Sequence, residues 1–238
     1  MHKVFFSSIT PLYHKNKVCV EDFILSDKNQ QAFLYLSKWP NWYGNACTIN
    51  GSKGSGKSFL ARIWRQKSQA YNLDLFHLNK NSLDKALDRN FAFVVDNFDK
   101  YLSRKEILRN LENNDFENFE EVLIKIFDHC QTQNKHLLIV LDNKLAEYDI
   151  KTADLKSRLL AANNFTINAP DESTIKTYLI KLFAQAQLKI SIDVTNYISK
   201  NITRSFKEVD IAFKKIDLFS LEEKRNITIP LVKKVLGC

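Results

Sequence analysis

Glycine and proline are scarce in this chain, five and four among 238 residues, which leaves little room for a flexible linker or a disordered tail. The four cysteines, Cys19, Cys47, Cys130 and Cys238, include no CxxC pair and no zinc-like spacing. That argues against a disulfide framework and agrees with a reduced, cytoplasmic protein. His129 beside Cys130 is no metal pair, because adjacent residues on a helix point different ways. No apolar run approaches the roughly 18 residues needed to span a bilayer, so no membrane partner is expected. The stretch from Met1 to Ser8 holds too few apolar residues for a signal peptide. Repeats and low-complexity tracts are absent.

What is present is an ordinary globular composition, 45% hydrophobic and 26% charged. The length allows one or two domains and a sizeable core. The net charge of +8 permits nucleic acid nearby. The lysines and arginines are scattered, however, and a solvated lysine surface accounts for them as well.

Strand and helix signals alternate through the first two thirds. Ser26 and Asp27 are candidate caps for a helix carrying Ala32, Phe33, Leu36 and Trp39 at helical spacing, which ends at Pro40. Ala46 to Asn50 is a short apolar strand, and Leu60, Ala61, Ile63 and Trp64 mark the helix after it. Phe91 to Val95 closed by Asp96, and His136 to Leu141 closed by Asp142, are unbroken apolar runs of the kind buried on both faces of a parallel sheet. Between them Phe119, Val122, Leu123, Ile126 and Phe127 give an amphipathic helix. Phe165 to Ile167 is a third, shorter strand candidate. From Pro170 onward only helical periodicity remains, on Ile175–Phe183, Val194–Ile198, Phe206–Ile216 and a last helix opened by Pro230. The pattern predicts an α/β core with a parallel sheet flanked by helices over residues 1–169, and a small all-helical lid over residues 170–238.

Gly51, Ser52, Lys53, Gly54, Ser55, Gly56, Lys57 and Ser58 match G-x-x-x-x-G-K-[ST] at every defined position. In such a loop the glycines let successive backbone N–H groups turn toward phosphate oxygens. The helix that follows, entered through Phe59, adds the positive end of its dipole. Lys57 is placed for the β- and γ-phosphates and Ser58 for Mg²⁺. Asp96, ending a neighbouring strand, is the candidate second Mg²⁺ ligand. The next residue, Asn97, stands where many such ATPases carry an acid that activates water. Asparagine cannot take a proton, so weak intrinsic hydrolysis is expected. Asp99 is two residues further along a turn and is expected to point elsewhere.

The order of these segments resembles the AAA+ domain of the DnaA/Hda family, and most nearly the truncated Hda form of alphaproteobacteria. The resemblance rests on the P-loop, the Asp96-Asn97 strand end, the strand ending at Asp142, Leu155-Lys156-Ser157-Arg158, and the closing segment Ile227 to Leu236. Asp22 to Asn29, Trp39-Pro40-Asn41-Trp42 and Leu60 to Trp64 add to it. It covers nearly the whole chain from Asp22.

The resemblance implies ADP or ATP as ligand, with Phe23 and Ile24 lining the adenine pocket and Asp142 as first sensor. A turn aspartate is the plainer alternative for Asp142. The second-sensor position falls on Lys207, with Arg204 one turn earlier. Arg158 takes the position of the arginine finger that reaches a neighbouring subunit's nucleotide. DnaA is then the expected partner. Hda-type members also dock on the DNA polymerase sliding clamp through an N-terminal motif, of which His2-Lys3-Val4-Phe5-Phe6 is a degenerate version. Residues able to form a DnaA-type helix-turn-helix are not expected in this sequence, and self-association is compatible with the family. The implied function is stimulation of hydrolysis of DnaA-bound ATP. The rival is a nucleotide-dependent adaptor or loader that brings a helicase or another replication protein to DnaA or DNA.

Overall fold

The computed structural model describes residues 18–103, 119–223 and 225–237. They fall into two compact units. One comprises residues 27–168, and the other the helical C-terminal residues together with residues 18–26.

The larger unit is built on a five-stranded parallel sheet of β1 (Ala46–Asn50), β2 (Tyr71–Asn72), β3 (Ala92–Val95), β4 (His136–Val140) and β5 (Asn163–Thr166), in the order β2-β3-β4-β1-β5. Strand β1 enters between two strands that come later in the chain, with Ile49 opposite Val140 on one side and Phe165 on the other. Ligands of open α/β sheets bind outside the carboxyl ends of strands at such reversals of order. The helices are α1 (Gln30–Ser37), α2 (Lys57–Ser68), α3 (Lys80–Arg89), α4 (Phe98–Ser103), α5 (Phe119–Thr132) and α6 (Ala153–Ala161). Helix α5 buries Val122, Leu123 and Ile126 against Phe93, Leu137, Leu155 and Leu159 in one continuous core. Each fully buried side chain of this size contributes ~1.5–3 kcal/mol.

Two expectations shift, and two elements appear that were not expected. Helix α1 is capped by Asn29 without a side-chain bond, so neither Ser26 nor Asp27 caps it. The third strand is displaced to Asn163–Thr166, because its polar side chains find partners. Asn50 Nδ2 donates to Asn164 Oδ1 at 2.6 Å, and Thr166 Oγ1 donates to Asn50 Oδ1 at 2.9 Å. Strand β2 and helix α3 lack a strong apolar signal. The first is two residues long, and the second is held by a capping box between Asn79 and Ser82.

The second unit contains α7 (Glu172–Gln185), α8 (Ile192–Asn201), α9 (Phe206–Glu223) and α10 (Ile229–Leu236). Asp171 and Ser191 cap α7 and α8 through the N–H groups of Thr174 and Val194. Residues 18–26 group with these helices rather than with the sheet, where the sequence pattern put them. The physical tie is Asp22, which pairs with Lys181 at 3.2 Å and accepts from Gln185 at 3.3 Å. Among the described residues no helix is long and apolar enough to cross a membrane.

Candidate nucleotide-binding site

The loop after β1 needs glycine for steric reasons. Gly54 and Gly56 have φ of 76° and 102°, and Gly51 has φ of 149°, all in the range that side chains avoid. A Cβ on Gly51 would lie 2.0 Å from the Ile167 carbonyl oxygen. The loop therefore packs backbone to backbone against the end of β5. Gly56 is the N-cap of α2, so the loop opens onto the positive end of a twelve-residue helix.

Lys57, the first residue of α2, is 5% exposed. Its Nζ donates to the carbonyl oxygens of Gly51 and Ser52 at 2.6 and 2.9 Å and stands 3.1 Å from Asp142 Oδ1. Lys53, on the loop's outer side, lies 3.8 Å from Asp142 Oδ2. Ser58 Oγ donates to Asp96 Oδ1 at 3.0 Å. Burial pushes the Asp96 carboxyl above its ordinary range, against the Ser58 hydroxyl, the Asn97 N–H, Lys57 and Lys100, which favour the anion. A hydroxyl and a half-buried carboxylate side by side form a hard-oxygen donor pair suited to Mg²⁺, which keeps the rest of its shell for water and phosphate. Ser55 Oγ is buried in the same loop without a hydrogen-bond partner.

Asn97 adopts a left-handed φ of 58° and turns its backbone N–H onto Asp96 Oδ1 at 2.9 Å. Asp99 does point elsewhere. Its Oδ2 accepts the Asp142 N–H at 2.8 Å and its Oδ1 accepts the Tyr148 hydroxyl at 2.5 Å, while the Asn143 N–H donates to that hydroxyl. This network holds the residue that faces Lys57. Its members lie far apart in the chain, and no local spacing announces them. Beside Asp96 a cavity of about 330 Å³ is lined by Arg62, Arg65 and Lys100, cations the sequence reading also missed.

Residues 171–236 match the family model for the lid domain of Hda. Over 231 residues the chain is 24% identical to the chromosomal replication initiator DnaA of Borrelia garinii, covering 93% of this chain and 48% of that protein. The chain thus spans about half the length of this relative. Domain III of DnaA from Thermotoga maritima has the same fold, with a TM-score of 0.75 at 16% identity over 91% of this chain and 94% of that one. AMPPCP-bound DnaA from Aquifex aeolicus gives 0.68 at 17% identity, covering 85% of this chain and 65% of that one. The chain is thus similar to the DnaA/Hda AAA+ proteins: it has the fold of DnaA domain III, and its lid matches the Hda model. Its five-stranded parallel sheet is the AAA+ core, and α7–α10 are the helical lid.

Within this DnaA/Hda-type core the structure brings Gly51, Lys57, Ser58, Asp96 and Asp142 together. Phe59 differs from expectation: its side chain is 2% exposed and belongs to the hydrophobic core, because α2 packs on β3 and β4 of the sheet from its first turn onward. Arg158 lies on α6. Its Nε donates to Asp154 at 2.8 Å and its Nη1 to Asp128 of α5 at 2.5 Å, and 24% of its side chain is exposed. The bond to Asp154, and then the one to Asp128, raise its already high pKa. Glu120, buried on α5, accepts the N–H groups of Lys151 and Thr152 at 3.2 and 2.8 Å, which anchors the start of the Arg158 helix. Phe23 and Ile24 are half-buried, and Arg204 and Lys207 are exposed, all four in the helical unit. His129 Nε2 meets the Leu87 carbonyl at 3.1 Å, and Cys130 is buried with its thiol pushed up to about 12. The clamp-motif candidate, residues 2–6, lies outside the described residues, as does Cys238.

Proposed function

We propose that this chain is an Hda-type regulator of chromosome replication. It binds ADP or ATP with Mg²⁺ at Gly51–Ser58 and presents Arg158 to the nucleotide of a DnaA molecule, promoting hydrolysis in company with the sliding clamp. The observation that carries the reading is the joint presence of a built phosphate cradle around Lys57 and a lid of the Hda family. The AMPPCP-bound DnaA of the same fold supports an adenine nucleotide.

The roles follow from charge. Loop N–H groups and the α2 terminus attract the phosphates. Lys57 can exchange its carbonyl partners for phosphate oxygens. Ser58 and Asp96 would hold Mg²⁺, which neutralises charge on the transferring phosphoryl group. Asn97 supplies no base, so turnover by the chain alone is weak. Arg158 has planar N–H donors suited to the charge spread over a γ-phosphate, and such a finger is worth ~10³–10⁵ in rate. Asp128 and Asp154 hold it in position at the surface. Arg204 or Lys207 serves as second sensor, Phe23 and Ile24 line the adenine, and Asp142 is the first sensor.

The test is a hydrolysis assay of ATP-loaded DnaA with this chain, the clamp and DNA. The wild type is expected to accelerate hydrolysis. Arg158→Ala is expected to bind ADP normally and to accelerate nothing. Acceleration retained by that variant removes Arg158 from the reaction. No acceleration by the wild type, together with capture of a helicase, would favour the adaptor role.

A further inference from the structure

All three tryptophans of the chain, Trp39, Trp42 and Trp64, gather at one place. It is the amino-terminal edge of the sheet, a strand's length from the phosphate loop, where Asn45 precedes β1, Phe91 precedes β3 and His136 opens β4. A cavity of about 800 Å³ opens there, within the range of small-ligand sites.

The ring arrangement separates structural from available aromatics. Trp42 stacks on Trp64 with centroids 5.0 Å apart, and Tyr35 covers it at 5.2 Å. Trp39 meets Trp64 and His136 edge to face, and Phe91 is 75% exposed. The Lys135 ammonium lies over one face of Phe91, 5.7 Å from its centroid; the exposed remainder of Phe91 and the half-buried Trp39 keep ring surface for a further ring. The polar lining is made of amides, among them Asn41, Gln69 and Asn134, which can both donate and accept. Lys67 is the charged side chain of the lining, and no carboxylate occurs among the described lining residues. The Lys67 ammonium donates to the Ser37 carbonyl at 2.6 Å and has further N–H donors. Burial lowers the pKa of His136, so this ring is neutral at pH 7.

Flat apolar faces, amide edges and one cation without an opposing acid are the requirements of a base with its phosphate. We propose that this cavity is a second binding site, separate from the phosphate loop, for a nucleobase that carries a phosphate. A free nucleotide and a single strand of nucleic acid share that chemistry.

Because every tryptophan belongs to the cluster, intrinsic emission reports on this site. The full chain, saturated with ADP and magnesium, is titrated with thymidine monophosphate and with a short oligothymidylate. The expected result is a saturable change in emission that persists in Lys57→Ala. Phe91→Ala and Lys67→Ala, both exposed positions, should each weaken it about tenfold. A response to the oligothymidylate alone assigns the strand, and an equal response to the monophosphate assigns the free nucleotide. No change with either ligand overturns the proposal. So does a change abolished by Lys57→Ala, or one untouched by both cavity variants.

Discussion

Lys57 Nζ and Asp142 Oδ1 stand 3.1 Å apart at the mouth of the phosphate loop. The carboxylate therefore shares the ammonium that the phosphates need, and it adds a negative charge where they would lie. Asp142→Asn keeps the shape and removes that charge. At such distances a unit charge is worth roughly 1–4 kcal/mol near a protein surface, so ADP should bind at least severalfold more tightly in calorimetry. Unchanged or weaker affinity would show that Asp142 does not oppose the phosphates.

Gly51→Ala places a methyl group 2.0 Å from the Ile167 carbonyl oxygen. Backbone must move, at the junction of β1, β5 and the loop. A loss of about 2 kcal/mol or more is expected, read as a lower midpoint in urea, together with loss of ADP binding. A variant as stable as the wild type would mean that the loop can relax there.

Glu120 is 4% exposed and accepts two N–H groups at the start of α6. Glu120→Ala leaves those donors without that acceptor, at a cost of ~1–3 kcal/mol. Thermal denaturation should show the loss, and stimulation of DnaA should fall while ADP affinity stays. If ADP affinity dropped in step, the effect would be general rather than confined to the Arg158 helix.

In the helical unit burial pushes Asp210 up to about 6, against the Tyr178 hydroxyl that donates to it at 2.7 Å and against Lys214. A carboxyl with a raised folded pKa binds its proton more tightly folded than unfolded. Its contribution is fully present below the ordinary carboxylate range and is lost as pH rises through about 6. Asp210→Asn should therefore gain on the order of 2 kcal/mol over the wild type near pH 8 and little near pH 4. An equal difference at both pH values would rule out titration of Asp210 as its source.

Local pattern made much of this protein legible. The apolar runs at Phe93 and Leu137, the five-position face of α5, and the lid helices all appear because a strand buried on both faces reads as an unbroken apolar run and a half-buried helix imposes a period of 3.6. The phosphate loop was readable for the same reason: its glycines and Lys57 act within eight consecutive residues. Strand β5 was placed two residues late, since its alignment depends on Asn50, a partner more than a hundred positions away.

The sequence by itself determined the parallel α/β core, the phosphate loop and the helical lid, because each is encoded in contiguous spacing. Only the tertiary structure decided that Asp142 faces Lys57, that Asp99 and Tyr148 hold it there, and that Asp128 and Asp154 grip Arg158. It also decided that three tryptophans share one edge of the sheet. Those relations join residues distant in the chain, and their energies depend on distance and burial, which a linear order of residues does not contain.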